Sequence, residues 1–373
     1  MDERAAKAVK ENMKVVIVGG GYGGAYLGYK IIKENLCKVT VIDPKDGMFH
    51  NVGALRTLVD KSYENKLFVP YDQFLGKSFL RQSVKAINTK SKFVTLDDNT
   101  VVSYTHLVIA SGCNSPFPGG IAYLNNIKEA LKCYDEMREG LMKSKRVIVV
   151  GGGAVGVELV GEIKTDFPSK EVTLIHSRHY LTSERGNESY QLNLLEVLQK
   201  KQINLHLGEK VVNLNDLRLN KYVEGQKVKT EKRELECDMV VACIGTTANN
   251  AFFKDELGSA LNDSGLLRVN SFLQVNGHED VFAIGDINNV PEEKMAYTAK
   301  LQADQLFANW LAGNDKWEPY KTGAFVMIVP IGRDSGVGLF QGQILDSASV
   351  SSMKGQDLFA DRIWGDLGLT PPN

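Results

Sequence analysis

Two glycine-rich turns with the same spacing carry the first residues that could do chemistry. Each turn reads G-x-G-x-x-G and directly follows a short, β-branched apolar run that is typical of a buried parallel strand. The glycines are Gly19, Gly21 and Gly24 in the first turn and Gly151, Gly153 and Gly156 in the second. The first glycine permits a tight turn, the second lets the backbone approach a pyrophosphate, and the third lets helix and strand pack closely. Because the N-terminus of the following helix attracts phosphate, the pattern predicts two dinucleotide-binding units.

The polar residues after the next apolar run differ between the two units. Asp43 follows Val39 to Ile42, where its carboxylate could accept hydrogen bonds from an adenosine ribose. In the second unit His176 stands at that position, and Arg178 comes shortly after it. No carboxylate would repel a 2′-phosphate there, and Arg178 could pair with one, so we predict that NADPH is accepted alongside NADH. A solvated basic turn is the other interpretation of these residues.

Three later apolar runs also end in glycine turns, which we expect to line cofactor sites. They are Leu107 to Ala110 followed by Gly112, Met239 to Cys243 followed by Gly245, and Val281 to Ile284 followed by Gly285 and Asp286. Asp286 could bind the ribityl chain or a phosphate of FAD, although any one of these turns is also explained by an ordinary buried strand. An enzyme with two dinucleotide sites usually holds one cofactor and exchanges the other, so tightly bound FAD and exchangeable NADH or NADPH are expected.

The order of apolar runs and helical patterns sets the expected fold. Strands and helices alternate, which predicts an α/β fold with two nested Rossmann-like domains of the FAD/NAD-linked reductase type and a small C-terminal α+β region. The predicted boundaries are 13–118 and 246–320 for the FAD-binding domain, 119–245 for the NAD(P)H-binding domain and 321–373 for the C-terminal region. In that last region we predict a hairpin over Ala324 to Pro330 and Gly336 to Ile344, and a helix over Ser349 to Trp364.

Composition narrows the class of protein. The chain has 373 residues and a formal net charge of -1, so no overall field attracts nucleic acid. Its five cysteines include no C-x-x-C pair, which argues against a disulfide framework, a zinc site or a redox-active dithiol, and we predict no metal site. No uncharged apolar stretch is long enough for a membrane span, and the N-terminus lacks the apolar core of a signal peptide, so a cytoplasmic protein is expected.

Strings along most of the chain resemble a known family. They are VVIVGGGYGG from Val15, HNVGALR from His50, VGGGAVGVEL from Val150, EIKTDFP from Glu162, EVTLIHS from Glu171, KMAY from Lys294, GRDSGVG from Gly332 and DLF from Asp357. The chain is similar to two-dinucleotide-binding-domain flavoproteins, and in particular to FAD-dependent NAD(P)H:quinone oxidoreductases related to apoptosis-inducing factor. The resemblance implies hydride transfer from NAD(P)H through flavin to a ubiquinone or vitamin K type quinone. This reaction regenerates lipid-soluble radical-trapping antioxidants and suppresses lipid peroxidation and ferroptosis.

The same resemblance implies roles for single side chains. FAD is expected to contact Arg56, Val84 and Asp286 together with the first turn, which includes Tyr22 and Gly23. Further expected cofactor-binding residues are Ala110, Gly112, Lys294 and Met295. Glu158 matches a glutamate near flavin and nicotinamide, and Lys354 and Phe359 match residues linked to activity and the acceptor pocket. Phe359, with Leu358 and Trp364, would line an apolar channel for the quinone. The purely structural interpretations are that Glu158 is a solvated helix glutamate and that Lys354 is a surface lysine. The three apolar residues would then simply pack in the core.

One departure from the family concerns membrane attachment. Members commonly begin Met-Gly and are myristoylated, whereas this chain has Asp2, so we expect no myristoylation by that route. Peripheral contact with membranes or lipid droplets through the C-terminal region, and a homodimer, stay open as expectations. Two other functions also stay open: an NADH oxidase in which reduced flavin reacts with oxygen, and an NADH-responsive signalling flavoprotein like apoptosis-inducing factor.

Overall fold

A computed structural model describes residues 12–121, 124–313 and 316–372, so the prediction for Asp2 lies outside the described residues. The strands are β1 (Lys14–Val18), β2 (Lys38–Asp43), β3 (Gly47–Phe49), β4 (Phe68–Pro70), β5 (Phe79–Arg81), β6 (Val84–Asn88), β7 (Phe93–Leu96), β8 (Val101–Ser103), β9 (His106–Ile109), β10 (Cys113–Asn114), β11 (Arg146–Val150), β12 (Glu171–His176), β13 (Asn204–Leu207), β14 (Tyr222–Lys229), β15 (Glu234–Ala242), β16 (Thr247–Ala248), β17 (Val281–Ala283), β18 (Met327–Pro330), β19 (Gly336–Phe340) and β20 (Gln343–Leu345). The α-helices are α1 (Tyr22–Lys33), α2 (Glu64–Leu67), α3 (Tyr71–Phe74), α4 (Ile127–Lys143), α5 (Ala154–Asp166), α6 (Glu188–Lys200), α7 (Lys254–Leu257), α8 (Ala296–Ala312), α9 (Ser347–Val350) and α10 (Ala360–Asp366). Among these described helices, none combines the length and the apolar character that a membrane crossing needs.

Five parallel strands form the first sheet, in the order β17-β9-β1-β2-β5. Ile17, Val108 and Phe282 in its centre are fully buried, because helices and loops cover both faces, and this explains the continuous apolar runs in the sequence. The strand β17 comes from far along the chain, yet Val281 pairs in register with Leu107. The first sheet is therefore assembled from two distant parts of the sequence.

The second sheet lies between those two parts in sequence and has the order β13-β12-β11-β15-β14. Its strands run parallel except β14, which pairs antiparallel with β15 at the edge. The helix α5 follows β11 as α1 follows β1, so the same strand, turn, helix and strand occur twice. These two sheets confirm the predicted α/β fold with two Rossmann-like units.

Smaller antiparallel sheets complete the architecture. One contains β6, β7 and β8, and another contains β18, β19 and β20. The strands β18 and β19 form the predicted C-terminal hairpin, but the run predicted to extend to Ile344 turns back after Phe340 and pairs with itself as β20. The strand β10 follows β9 of the first sheet, and β16 follows β15 of the second sheet. These two short strands pair with each other, with Cys113 opposite Ala248. The two chain segments that follow the large sheets are thus tied to each other.

The helix predicted over Ser349 to Trp364 is wrong as one continuous element. After α9 the chain makes a π-helical turn, Ser351–Gly355, and α10 begins only after Phe359. Between them Leu358 and Phe359 have φ values of 53° and 64°, in the left-handed region that non-glycine residues rarely adopt. The cause is tertiary, because side chains from residues 50–63 bind the backbone carbonyls of this segment.

Candidate functional site

The first glycine turn joins β1 to α1 and is closed against the neighbouring strand. Gly19 has a φ of 108°, and a Cβ atom there would lie 2.3 Å from the carbonyl oxygen of Ala110, so only glycine fits. A Cβ atom on Gly24 would lie 1.9 Å from the Gly19 carbonyl oxygen, which is the close contact between helix and strand that the third glycine permits. Gly21, in contrast, has open space on its Cβ side. The turn therefore leaves room at the N-terminus of α1.

The second glycine turn repeats this geometry between β11 and α5. Gly151 has a φ of 114°, and its Cβ atom would lie 2.4 Å from the Cys243 carbonyl oxygen. A Cβ atom on Gly156 would lie 1.8 Å from the Gly151 carbonyl oxygen, while Gly153 again has open space beside it. Neither α1 nor α5 has an acidic residue in its first turn. Both turns therefore fit the pyrophosphate of a dinucleotide, which needs a close backbone approach and no competing carboxylate.

Asp43 lies at the end of β2 with 3% of its surface exposed. Its carboxylate accepts the backbone N–H of Gly20 at 2.7 Å and that of Lys45 at 2.9 Å, and the Lys45 ammonium lies 2.8 Å away. The side chain of Asp43 thus fixes the shape of the first glycine turn. Its contact with an adenosine ribose stays a prediction.

The corresponding end of β12 carries His176, which lies half-buried under the second glycine turn. A Cβ atom on Gly152 would come within 2.7 Å of the His176 ring. Burial is the main cause that lowers the pKa of the His176 imidazole, and the positive charge of Arg178 lowers it further. Arg178 itself is exposed and donates a hydrogen bond of 2.8 Å to the Tyr180 hydroxyl. Gly245, with a φ of 77°, forms an exposed turn after β15. The nucleotide contacts predicted for these residues are not tested by this geometry.

Asp286 and Lys294 are brought near each other beyond the end of β17. Burial raises the pKa of the Asp286 carboxyl, and the Lys294 ammonium opposes that shift. Burial likewise lowers the Lys294 pKa, although its ammonium donates to the Asn288 carbonyl oxygen at 2.7 Å. The Gly285 N–H donates to the Gln302 amide oxygen at 2.8 Å, which holds the preceding turn in place. A half-buried carboxylate beside a cation suits the ribityl hydroxyl groups of a flavin nucleotide.

The other residues predicted to contact FAD lie around the same end of the first sheet. Gly23 on α1 is buried and packs toward the Ile284 side chain, and the Gly112 carbonyl accepts the Asn249 N–H at 3.0 Å. Met295 precedes α8, and its N–H donates to the Thr298 hydroxyl at 3.2 Å. Val84 is half-buried at the start of β6, three residues after Arg81 ends β5.

Glu158 and the C-terminal pair of Lys354 and Phe359, predicted from two distant parts of the chain, meet in space. The Lys354 ammonium lies 2.7 Å from a Glu158 carboxylate oxygen and also donates to the Ile328 carbonyl oxygen at 3.1 Å. Both members of the pair are about nine-tenths buried, and the ammonium lies 6.0 Å from the centroid of the Phe359 ring. Burial raises the pKa of Glu158, while Lys354 acts in the opposite direction. The surface-residue interpretations of Glu158 and Lys354 are therefore wrong.

Arg56 forms a second buried ion pair, which the sequence analysis missed. Its guanidinium binds Glu162 through two hydrogen bonds of 2.6 and 2.8 Å, and it also donates to the carbonyl oxygens of Gly355 and Gln356. Glu162 lies one helical turn after Glu158 on α5, so the two carboxylates share a helix face. The spacing of four residues between Glu158 and Glu162 was the sequence signal that could have indicated Glu162 as a second site carboxylate. The predicted contact of Arg56 with FAD remains untested.

Tyr22 and His50 link the first glycine turn to the C-terminal segment. The Tyr22 hydroxyl lies 2.9 Å from the His50 Nδ1 atom, and His50 Nε2 lies 2.9 Å from the Leu358 carbonyl oxygen. Because a carbonyl can only accept, Nε2 carries the proton and donates, and Nδ1 accepts from the tyrosine. Burial raises the pKa of Tyr22 and lowers that of His50 to about 4, so both groups are neutral near pH 7.

Comparison with known proteins decides the family. Residues 13–303 match the family described as Pyridine nucleotide-disulphide oxidoreductase, which covers well over half of the chain. The chain belongs to the pyridine nucleotide-disulphide oxidoreductase family. Members of this family are oxidoreductases of the two-dinucleotide type, so the resemblance drawn from the sequence strings is confirmed at this level.

Individual relatives cover nearly the whole chain. A Xenopus laevis protein named ferroptosis suppressor protein 1 is 37% identical over 370 residues, which is 98% of each chain. The Homo sapiens protein of that name is 37% identical over 364 residues, covering 96% of this chain and 97% of its own. Among solved structures, NDH2 from Plasmodium falciparum in complex with NADH superimposes with a TM-score of 0.71 at 16% identity, over 96% of this chain and 98% of that one. The last likeness shows the fold alone.

The cysteines bear on whether this chain could carry disulphide chemistry. All five are free thiols in the structure. Burial raises the pKa of Cys113 to about 11 and that of Cys243 to about 12, so neither thiol forms the nucleophilic thiolate near pH 7.

Proposed function

We propose that this chain is an FAD-dependent NAD(P)H:quinone oxidoreductase. The observation that carries the proposal is the buried ion pair of Glu158 and Lys354, which lies beside the Phe359 ring. Glu158 comes only two residues after Gly156 of the second glycine turn. A charged group and an aromatic ring thus stand where a nicotinamide unit and the C-terminal region meet. The relatives named ferroptosis suppressor protein 1 support a role in suppressing ferroptosis.

The mechanism assigns separate tasks to these side chains. Bound FAD would supply the chemistry that accepts a hydride from NAD(P)H and passes two electrons to the quinone. Two of the three N–H bonds of Lys354 are used by Glu158 and by the Ile328 carbonyl, so the third can donate to a quinone oxygen. That hydrogen bond stabilises negative charge on the oxygen and places a proton for the hydroquinone. The net reaction converts NAD(P)H, a proton and quinone into NAD(P)+ and hydroquinone.

The acceptor surface is smaller than the sequence suggested. Leu358 and Trp364 have exposed fractions of 2% and 4% and pack in the core, so they do not line an open channel. Phe359 is half-buried, and we propose that its ring provides the apolar face against which the quinone ring lies. The physiological acceptor would be a ubiquinone or vitamin K type quinone.

The first experiment is spectroscopic. We expect the purified chain to show flavin absorption, to be bleached by NADH without oxygen, and to be recoloured by a short-chain quinone. Faster turnover with oxygen than with quinone would indicate an NADH oxidase instead. Slow reoxidation by every acceptor would favour a signalling flavoprotein, and a colourless protein that cannot be reconstituted with FAD would overturn the proposal.

The choice of nicotinamide is tested on the same sample. We propose that NADH and NADPH are both accepted, because Arg178 is exposed and could pair with a 2′-phosphate. The values of kcat/KM for the two nucleotides are compared in wild type and in Arg178→Ala. The substitution should lower the value for NADPH while leaving that for NADH nearly unchanged. A wild-type enzyme at least a thousandfold poorer with NADPH would contradict this part.

Access to a lipid-soluble quinone requires contact with a membrane or lipid droplet, and we propose that the C-terminal region makes it. Phe340 and Met353 in this region have exposed fractions of 38% and 42%. Flotation with phosphatidylcholine vesicles should recover wild-type protein and less of the double variant Phe340→Ser/Met353→Ser. Equal recovery would contradict the assignment. Sedimentation of the same samples tests the predicted homodimer.

A further inference from the structure

Four consecutive backbone carbonyls in the C-terminal segment are each bound by a side chain from residues 50–63. Arg56 donates to Gly355 at 2.8 Å and to Gln356 at 3.1 Å. The Tyr63 hydroxyl donates to the Asp357 carbonyl at 2.8 Å, and His50 Nε2 lies 2.9 Å from the Leu358 carbonyl. We call these three donors, His50, Arg56 and Tyr63, the carbonyl clamp.

Each member of the carbonyl clamp is fixed by its own surroundings. Their exposed fractions are 0% for His50, 2% for Arg56 and 7% for Tyr63. Glu162 holds the Arg56 guanidinium from the other side, and the Tyr22 hydroxyl binds the second ring nitrogen of His50. A donor held in this way resists movement, so its acceptor carbonyl is held as well.

The carbonyl clamp acts on a segment whose backbone is strained. Leu358 and Phe359 both have positive φ, a region that is unfavourable for residues with a side chain. A strained conformation persists only where the surroundings over-determine it. Here the carbonyls of the preceding residues are fixed, and the Leu358 side chain is buried in a cluster with Tyr63 and Ala360.

The strained turn determines where the Phe359 ring lies. Phe359 is the residue before α10, and its ring centroid lies 6.0 Å from the Lys354 ammonium. If the segment continued as a helix from the π-helical turn, the side chain would point in another direction. We infer that His50, Arg56 and Tyr63 are positioning residues for the acceptor site, because they impose the left-handed turn that places Phe359 beside Lys354. This inference rests on the proposed function.

The test compares two tyrosines in the flavin-loaded full chain. Tyr63→Phe removes one hydroxyl of the carbonyl clamp, and Tyr104→Phe is the matched control, because the Tyr104 hydroxyl is also directed at a backbone carbonyl, that of Asn88, at 3.3 Å. Amide hydrogen exchange should become at least several-fold faster at residues 355–366 in Tyr63→Phe only. The KM for a short-chain quinone should rise about fivefold, which is about 1 kcal/mol, while the KM for NADH changes less than twofold.

A second pair of variants protects the test against a general loss of folding. His50→Gln keeps a donor that can reach the Leu358 carbonyl, whereas His50→Leu keeps bulk and removes the donor. Exchange at residues 355–366 and the quinone KM should be near wild type in His50→Gln and raised in His50→Leu. Equal exchange in Tyr63→Phe and Tyr104→Phe, or no difference between the His50 variants, would overturn the inference even if quinone reduction stands. A wild type that reduces no quinone would instead overturn the proposed function.

Discussion

At the scale of single residues, the Lys354 ammonium is the group placed to donate to an acceptor. Replacing it in Lys354→Met removes the donor and leaves the Glu158 carboxylate buried without its partner. We expect kcat/KM for quinone to fall about a hundredfold, as is common when one donor to a developing oxyanion is lost. Stopped-flow reduction by NADH should change much less. Lys300→Met, which breaks a partly buried pair with Asp366, is the control, and an equal loss of quinone turnover there would contradict the assignment.

His50 makes stability depend on pH. Its folded-state pKa is lowered by burial to about 4, against about 6.5 for an exposed imidazole. The contribution is therefore fully present above pH 6.5 and is lost as the pH falls from 6.5 toward 4, because the unfolded chain binds a proton that the folded chain does not. The loss amounts to about 3 kcal/mol. Urea unfolding at several pH values should show a steeper decline in wild type than in His50→Gln, and parallel declines would contradict the prediction.

At the scale of elements, the pair of Arg56 and Glu162 joins α5 to the segment before α2 and to the C-terminal turn. Arg56→Met leaves Glu162 buried and unpaired, which typically costs about 3–5 kcal/mol. The double variant Arg56→Met/Glu162→Leu should recover part of this loss in the free energy of unfolding. Lys132→Met, in an exposed pair with Glu136, should change little. A single variant as stable as the double one would contradict the prediction.

The junction of β11 and α5 requires a glycine at position 156. In Gly156→Ala the new Cβ atom would lie 1.8 Å from the Gly151 carbonyl oxygen, so helix and strand must separate. We expect the KM for NADH to rise at least tenfold while flavin absorption is kept, because the first glycine turn is untouched. Gly258→Ala, where a Cβ atom meets nothing, controls for the substitution itself. Loss of flavin instead of NADH binding would show that the units are assigned the wrong way round.

These elements also show what the sequence could and could not predict. The glycine turns were predictable because their requirement is local: a close backbone approach at Gly19 and Gly151 excludes every side chain. The break at Leu358 was not, because the helical periodicity continues through it and the donors lie about 300 residues earlier in the sequence. Glu158 and Lys354 were found only through a family resemblance, since neither residue type nor spacing tells that two distant charges pair.

At the scale of the whole molecule, the first sheet unites β1 with β17, and the second sheet is inserted between them in sequence. A ligand that binds only the folded state stabilises it by about 2.7 kcal/mol at a hundred times its Kd. Adding FAD to flavin-stripped protein should therefore slow amide exchange at residues 14–18 and 281–283 together, because both belong to one sheet. NAD+ should instead protect residues around Gly151–Gly156. Protection by FAD of the N-terminal residues alone would mean that the two parts do not form one binding domain, and the predicted boundaries would have to be redrawn.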